Sequence, residues 1–513
     1  MQYKSFYPLL LAIVLLCNIS CIATAQDQPA LQDSVYSSIL GEERAIEVIY
    51  PKGHNPQSPQ KYEVLYCLEG VADFARLEYN FLNGEGFIPN LIIIGLPNTV
   101  KNGMGMRDRD FTPTHTYEFT GGANKFLAFL KDELLPYIAK KYPVKASGNT
   151  LYGGSLSGLF VVYAFLNEPS LFTSYMAVDP SLWWDNFYPN KLASKKFDSL
   201  TNLHNSLWIA GREGSAYNYM GTAEMDSLLH IKAPTGLTWR CAKYQGETHY
   251  STQFKGVWDG LKFSYAGFYA SEGGYPTSRK IAIKPNRGMV AKNSPFGLIC
   301  YNVTQGPYIH YTTDDTQPTA SSPALTGDET RITLSTSAKI IVKSIGVRPA
   351  YDRVDTAYFE VGDALPGIAK PEGIVPGGLN YKYYEGSWDT MPAFAKLKAL
   401  KAGQAGKDFD LGSLPRQTGF ALQMEGYMRI DNPGNYILEL GGTYFRVYIN
   451  NQLILGGHNT GNGENYMLPL EKGFYPLRIE YLHKKDTDNL EPLYIKPDGI
   501  DDYPVPVEVL YGK

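Results

Sequence analysis

Residues Leu151-Tyr152-Gly153-Gly154-Ser155-Leu156-Ser157-Gly158 place a serine between a short apolar strand, Thr150–Tyr152, and the helical run Leu159–Leu166. A nucleophilic hydroxyl has to project from a tight strand-to-helix turn, and residues two positions to either side must be small for strand and helix to approach. Gly153 meets that need on one side. On the other, Ser157 replaces the usual glycine, but it is small and Gly158 follows. The helix then aims backbone N–H groups at the place where negative charge develops during acyl transfer. A glycine-rich turn can also be a plain joint; the flanking strand and helix favour a nucleophile at Ser155.

An activated serine needs a base, and in such a fold the chain order is serine, acid, histidine. Of the 8 histidines, His204, His230 and His249 follow Ser155 within the same region. His204 precedes a strand and His230 lies at the end of the helical stretch Ala223–Leu229, so both read as surface residues. His249 follows the strand Trp239–Tyr244 in the loop Gln245–Tyr250 and is the expected base. The expected acid is Glu213, just beyond the strand Ser206–Ala210, with Asp226 and Glu224 as fallbacks on a helix. Its role would be to hold the imidazole tautomer. The oxyanion hole is expected from the backbone N–H groups of Leu156 and of Val71, the latter in the loop Leu68-Glu69-Gly70-Val71 after the strand Glu63–Cys67.

Outward from this motif, apolar strands alternate with helical stretches from about Tyr36 to Ala270. The strands include Leu91–Leu96 and Ser174–Val178, and Lys125–Lys140 has an apolar helical face. Such alternation predicts an α/β-hydrolase fold, a mostly parallel sheet covered by helices. Beyond Gly273-Gly274-Tyr275-Pro276 helical periodicity fades. Short β-runs separated by turn residues continue to the end, with a second Pro/Gly-rich joint at Leu365-Pro366-Gly367 and Pro371–Gly378. The expected division is a signal peptide at 1–25, the hydrolase at 26–273, and two all-β sandwich modules at 276–363 and 366–513. A chain of 513 residues suits two to four domains at roughly 150 residues each.

The opening residues read as a Sec-type export signal. Lys4 precedes the apolar run Tyr7–Cys17, and Ala23-Thr24-Ala25 is a small-x-small cleavage site. The run is too short to span a bilayer, so no transmembrane segment is expected in the mature chain. The expected location is periplasmic, cell-surface or extracellular, with a lipid anchor on Cys21 as the less favoured variant. After cleavage Cys67, Cys241 and Cys300 remain, an odd number in apolar runs that reads as buried thiols. Composition is 44% apolar and 19% charged with net charge −4, and basic runs are lacking, which argues against nucleic acid or an anionic membrane as partner. The 39 tyrosines suit β-rich modules. No zinc spacing, phosphate loop or dinucleotide fingerprint stands out, so neither metal nor cofactor is expected.

With these residues in view, the catalytic region resembles the esterase D family, which is similar to feruloyl and acetylxylan esterases and to enterochelin-type siderophore esterases. The likeness rests on Leu65–Gly70, Arg107-Asp108-Arg109-Asp110-Phe111-Thr112-Pro113, Gly121-Gly122-Ala123, the serine turn, Asp179-Pro180-Ser181-Leu182-Trp183-Trp184-Asp185 and Glu247-Thr248-His249. It implies ester hydrolysis through an acyl-enzyme. Glu69 stands where many relatives have His or Asp, and Ser157 where they have Gly. Trp183, Trp184, Arg107 and Tyr250 are the candidate substrate contacts, the tryptophans as an aromatic wall or, equally, as packing residues.

Ile309–Asp315 with Gln317-Pro318-Thr319 resembles the C-terminal β-module of chitobiases and hexosaminidases. Tyr383-Tyr384-Glu385-Gly386, Gly426–Ile430 and Tyr448-Ile449-Asn450-Asn451 resemble the protective-antigen-type β-sandwich. Its lectin members use paired aspartates for calcium, and Gly441-Gly442-Thr443 offers none. This company favours an ester-decorated glycan as substrate, with carbohydrate contact through the last module. Siderophore-ester hydrolysis is the alternative, and a non-catalytic glycan-binding scaffold is the third reading.

Overall fold

A computed structural model describes residues 30–71, 73–265, 268, 281, 283–300, 309–325, 329–406, 409, 413–456, 464–498 and 505–513. The expected signal peptide, Cys21 and the joint at 273–276 lie outside the described residues. The chain forms two compact units, one of the residues up to Asn83 with Ile88–Ser264 and one of Gly84–Phe87 with Tyr265–Lys513.

The first unit is built on an eight-stranded sheet. Its strands are β1 (Leu31–Ser37), β2 (Glu42–Ile49), β3 (Glu63–Leu68), β4 (Leu91–Leu96), β5 (Thr150–Gly154), β6 (Ser174–Val178), β7 (Ser206–Arg212) and β8 (Thr238–Tyr244). The spatial order is β1-β2-β4-β3-β5-β6-β7-β8. β1 and β2 are antiparallel to their neighbours, and β4 through β8 run parallel. Every residue of β3, β4 and β6 is buried, as expected of strands covered on both faces. The edge strand β8 is only half-buried. The helices that matter here are α1 (Asp73–Gly84), α2 (Ser155–Asn167), α3 (Trp184–Lys196), α4 (Thr222–Lys232) and α5 (His249–Ser264). This is the α/β-hydrolase arrangement read from the alternation of strand and helix.

The chain leaves β3 toward β4 on one side and later returns to β5 on the other. The strand order therefore reverses between β3 and β5, where Cys67 pairs with Tyr152. Loops at such a reversal diverge, leaving a crevice outside the carboxyl ends of the strands.

The second unit does not divide at residues 363–366 in the way the joint suggests. A seven-stranded sheet takes β9 (Arg287–Ala291), Ile309–Thr312, Ala338–Ser344 and Val354–Gly362 from the first expected module. It takes Gly434–Gly442, Glu464–Leu470 and Leu490–Pro497 from the second. The seam is Gly288 against Met467, where a Cβ on Gly288 would stand 2.4 Å from the Met467 carbonyl oxygen. Met467 and Ile437 are buried in one cluster with Phe296, Ile340 and Phe359. The expected modules thus share a sheet, and two residues of the second join the core of the first, while a separate core with Leu379, Met424, Val447 and Tyr481 lies within the second. Cys67, Cys241 and Cys300 are not disulfide-linked.

Glu78 on α1 is 1% exposed, and neither carboxyl oxygen has a hydrogen-bond partner among the described residues. Burial, reinforced by the charge of Asp259 on α5, pushes its pKa up to about 9.

Two outcomes follow from this packing. Met467→Ala should destabilise the second unit by about 2–4 kcal/mol through the cavity left at the seam. In denaturant unfolding, fluorescence probes placed before residue 363 and after 366 should shift together; a shift confined to one of them would show two independent modules. Glu78 stays protonated in the native state to about pH 9, whereas the unfolded chain loses that proton near its ordinary 4.5. Between those values the native state binds the extra proton, so stability falls as pH rises. Glu78→Gln should flatten that decline and raise the unfolding midpoint at pH 8 but not at pH 4.5, and an equal effect at both would refute it.

Candidate active site

Ser155 is the first residue of α2 and adopts φ 56°, a left-handed conformation that a side chain normally avoids. Such strain persists only where surrounding structure enforces it. Part of the enforcement is the close approach of strand and helix. A Cβ on Gly153 would lie 2.5 Å from the Ser157 carbonyl oxygen. The carbonyl of Ser155 also accepts the Ser181 N–H at 2.9 Å, tying the turn to the loop after β6. Leu156, whose N–H is the expected oxyanion donor, is buried in the first turn of α2.

His249 opens α5, directly after the loop that follows β8. Its Nδ1 lies 2.5 Å from Asp179 Oδ2, with the imidazole 44% exposed and the carboxylate wholly buried. The same oxygen accepts from Arg212 Nε at 2.6 Å, and Asp179 Oδ1 has no partner among the described residues. Asp179 is the residue immediately after β6, at φ 43°. A buried carboxylate is costly unless paired, and two charge-assisted hydrogen bonds meet that requirement.

The carboxylate on His249 is therefore Asp179, not Glu213. Glu213 is exposed one strand farther along, its N–H donating to the Tyr244 carbonyl. The fallbacks are engaged elsewhere: Asp226 with His230, Lys243 and Tyr217, Glu224 with Asn190. Asp179 also satisfies the order serine, acid, histidine. The signal for it was an aspartate immediately after an all-buried strand, within a segment already singled out.

Val71 needs a second correction. Its N–H donates to Glu47 Oε2 at 2.9 Å, so it is already bound and does not serve as an oxyanion donor in this arrangement. Just before it, Glu69 (φ 69°) and Gly70 (φ 91°) make a left-handed turn at the end of β3. Arg107 is paired with Glu69 through Nε and, at 3.3 Å, Nη2, and is 35% exposed. It braces this turn.

The tryptophans part company. Trp184 is buried, with Nε1 donating to Thr114 Oγ1 at 2.9 Å and its ring 5.9 Å from Tyr117; it packs rather than lining a wall. Trp183 is 38% exposed, and Tyr250, beside His249, is 77% exposed. Both lie at the surface. Among the described residues, no group of three or more His, Cys, Asp or Glu is placed to hold a metal ion, and no helix is long and apolar enough to cross a membrane.

Residues 37–261 match the family described as "Putative esterase". The ferri-bacillibactin esterase BesA of Bacillus subtilis is 28% identical over 240 residues, spanning 42% of this chain and 82% of that protein. The siderophore triacetylfusarinine C esterase of Aspergillus fumigatus is 36% identical over 160 residues, 28% of this chain and 54% of that protein. Among solved structures, an IroE-like serine hydrolase from Shewanella oneidensis is 30% identical, with a TM-score of 0.42, covering 45% of this chain and 79% of that one. The chain is an enzyme, a serine carboxylic-ester hydrolase.

Proposed function

We propose that the protein hydrolyses the esters of a siderophore through an acyl-enzyme formed on Ser155. The carrying observation is the 2.5 Å contact between His249 Nδ1 and the buried Asp179. An imidazole held at Nδ1 presents Nε2 as the base, and Asp179 stabilises the imidazolium that forms when the serine proton is taken. Ser155 attacks the ester carbonyl, the carbonyl oxygen becomes an oxyanion, and the alcohol leaves with the proton returned by His249. Water, deprotonated by the same imidazole, then releases the acid. Leu156 N–H supplies one oxyanion donor; the second falls to the Glu69–Gly70 turn, since Val71 is occupied.

The substrate class is supported by the relatives. Curated proteins similar to this chain are named as esterases of ferri-bacillibactin, enterobactin, triacetylfusarinine C and apo-salmochelin. They favour this reading over the acyl-glycan one, which drew on the company of two separate β-modules that here share one sheet. Exposed Trp183 and Tyr250 offer aromatic faces suited to catecholate or other flat acyl groups. Export by the leading segment and carbohydrate contact by the second unit remain part of the proposal, with the lipid anchor on Cys21 as its variant.

Two measurements test this. With a catecholate trilactone, p-nitrophenyl acyl esters, and feruloyl and acetylated oligosaccharides, kcat/KM should be highest for the trilactone. Ser155→Ala should lower it by at least about a thousandfold. Preference for an oligosaccharide ester would restore the glycan reading. On the best substrate, Asp179→Asn should lower kcat about a thousandfold or more, because the amide favours the wrong imidazole tautomer. Glu213→Gln should cost less than about tenfold, or 1.4 kcal/mol of barrier; the opposite ranking would return the acid role to Glu213.

A further inference from the structure

Glu69 and Ser157 lie 88 residues apart, yet Ser157 Oγ is 2.7 Å from Glu69 Oε2. We propose that Glu69 is a positioning residue that locks the turn after β3 to the serine turn through the Ser157 hydroxyl, and so sets the oxyanion donors of the two loops relative to each other. The proposal rests on the serine-esterase reading above.

The geometry runs as a chain. Ser157 is fully buried, and its hydroxyl has one proton with two acceptors in reach, Glu69 Oε2 at 2.7 Å and the Gly154 carbonyl at 2.8 Å. An ionised carboxylate is the stronger acceptor, so the proton is directed to Glu69. Ser157 Oγ in turn accepts the Gly154 N–H at 3.0 Å. Gly154 directly precedes Ser155. A continuous path therefore runs from the residue before the nucleophile, through one hydroxyl, to the neighbouring strand's loop. Glu69 is held from its other side by Arg107 and by Asn98 Nδ2 at 3.3 Å. One step on, Glu47 grips the Val71 N–H. The left-handed Glu69–Gly70 turn is thus pinned at a side chain and at an amide. Strained backbone of this kind keeps its shape only when held in this way.

β3 and β5 are adjacent at the point where strand order reverses, so their two loops are the ones that must agree in position. Oxyanion donors act only when aimed at the place the developing charge will occupy. A link between the loops governs that aim without touching substrate.

The test is a double-mutant cycle of Glu69→Ala and Ser157→Ala in the full chain. The readouts are kcat and KM on the best ester, the rate of fluorophosphonate labelling, and the thermal midpoint. Each single change should lower kcat and the labelling rate by about 10- to 100-fold, with KM moving less than about threefold. The double variant should be no slower than the worse single, because both remove one link. Glu69→Gln should recover part of the rate, since its amide oxygen still accepts from Ser157; should Glu69→Ala fail to fold, Ser157→Ala alone must still lower kcat and the labelling rate, and its failure to do so overturns the lock. Losses that multiply in the double variant, or that fall on KM alone, would overturn the lock. Wild-type protein that neither takes the probe nor turns over an ester would instead sink the serine-esterase reading.

Discussion

One oxygen of Asp179 accepts from both His249 and Arg212 while the carboxylate is cut off from water. Removing a carboxylate from water costs several kcal/mol even after relaxation, and the two charge-assisted bonds have to offset that cost. A group so placed cannot swing out to meet a different partner. The imidazole it holds is therefore fixed in azimuth and tautomer even though it opens a helix on the exposed side of the sheet. Other parts of the site are adjusted to this point: Asp179 itself takes a left-handed φ, and the loop that follows it hands Ser181 N–H to the Ser155 carbonyl.

The sheet explains why these groups can meet. Parallel strands bring all their carboxyl ends to one edge, and a serine turn after β5, an aspartate after β6 and a histidine beyond β8 all come to that edge. The reversal between β3 and β5 adds a crevice at the same edge, with the Glu69–Gly70 turn on one wall and Ser155 on the other. Both walls carry left-handed non-glycine residues, Glu69 and Ser155. Strain has collected where backbone N–H groups must point into the crevice rather than along a ladder.

The second unit follows a different logic. Its strands are recruited to sheets across the Pro/Gly-rich joint near 365, and Gly288 lets two backbones approach closely enough for the seam to form. A flexible-looking joint in sequence is then only a turn within one packed body, because burial of Met467 and Ile437 against the earlier strands outweighs the freedom that prolines and glycines suggest.

The sequence by itself determined the elements that depend on local pattern. The largely apolar runs 91–96 and 174–178 read as strands, which the structure buries along their whole length. The small residues around Ser155 marked the sharp turn, and the position of His249 after a late strand singled it out as the expected base. What only the tertiary structure decided was pairing across the sheet: that Asp179 rather than Glu213 reaches His249, that Val71 N–H is taken by Glu47, that Trp184 packs inward, and that strands from before and after residue 365 join one sheet. A carboxylate at the end of any parallel strand has the same local signature. Which one meets the histidine depends on loop geometry and on distances of a few ångströms between strands far apart in the chain, and no periodicity or composition encodes those.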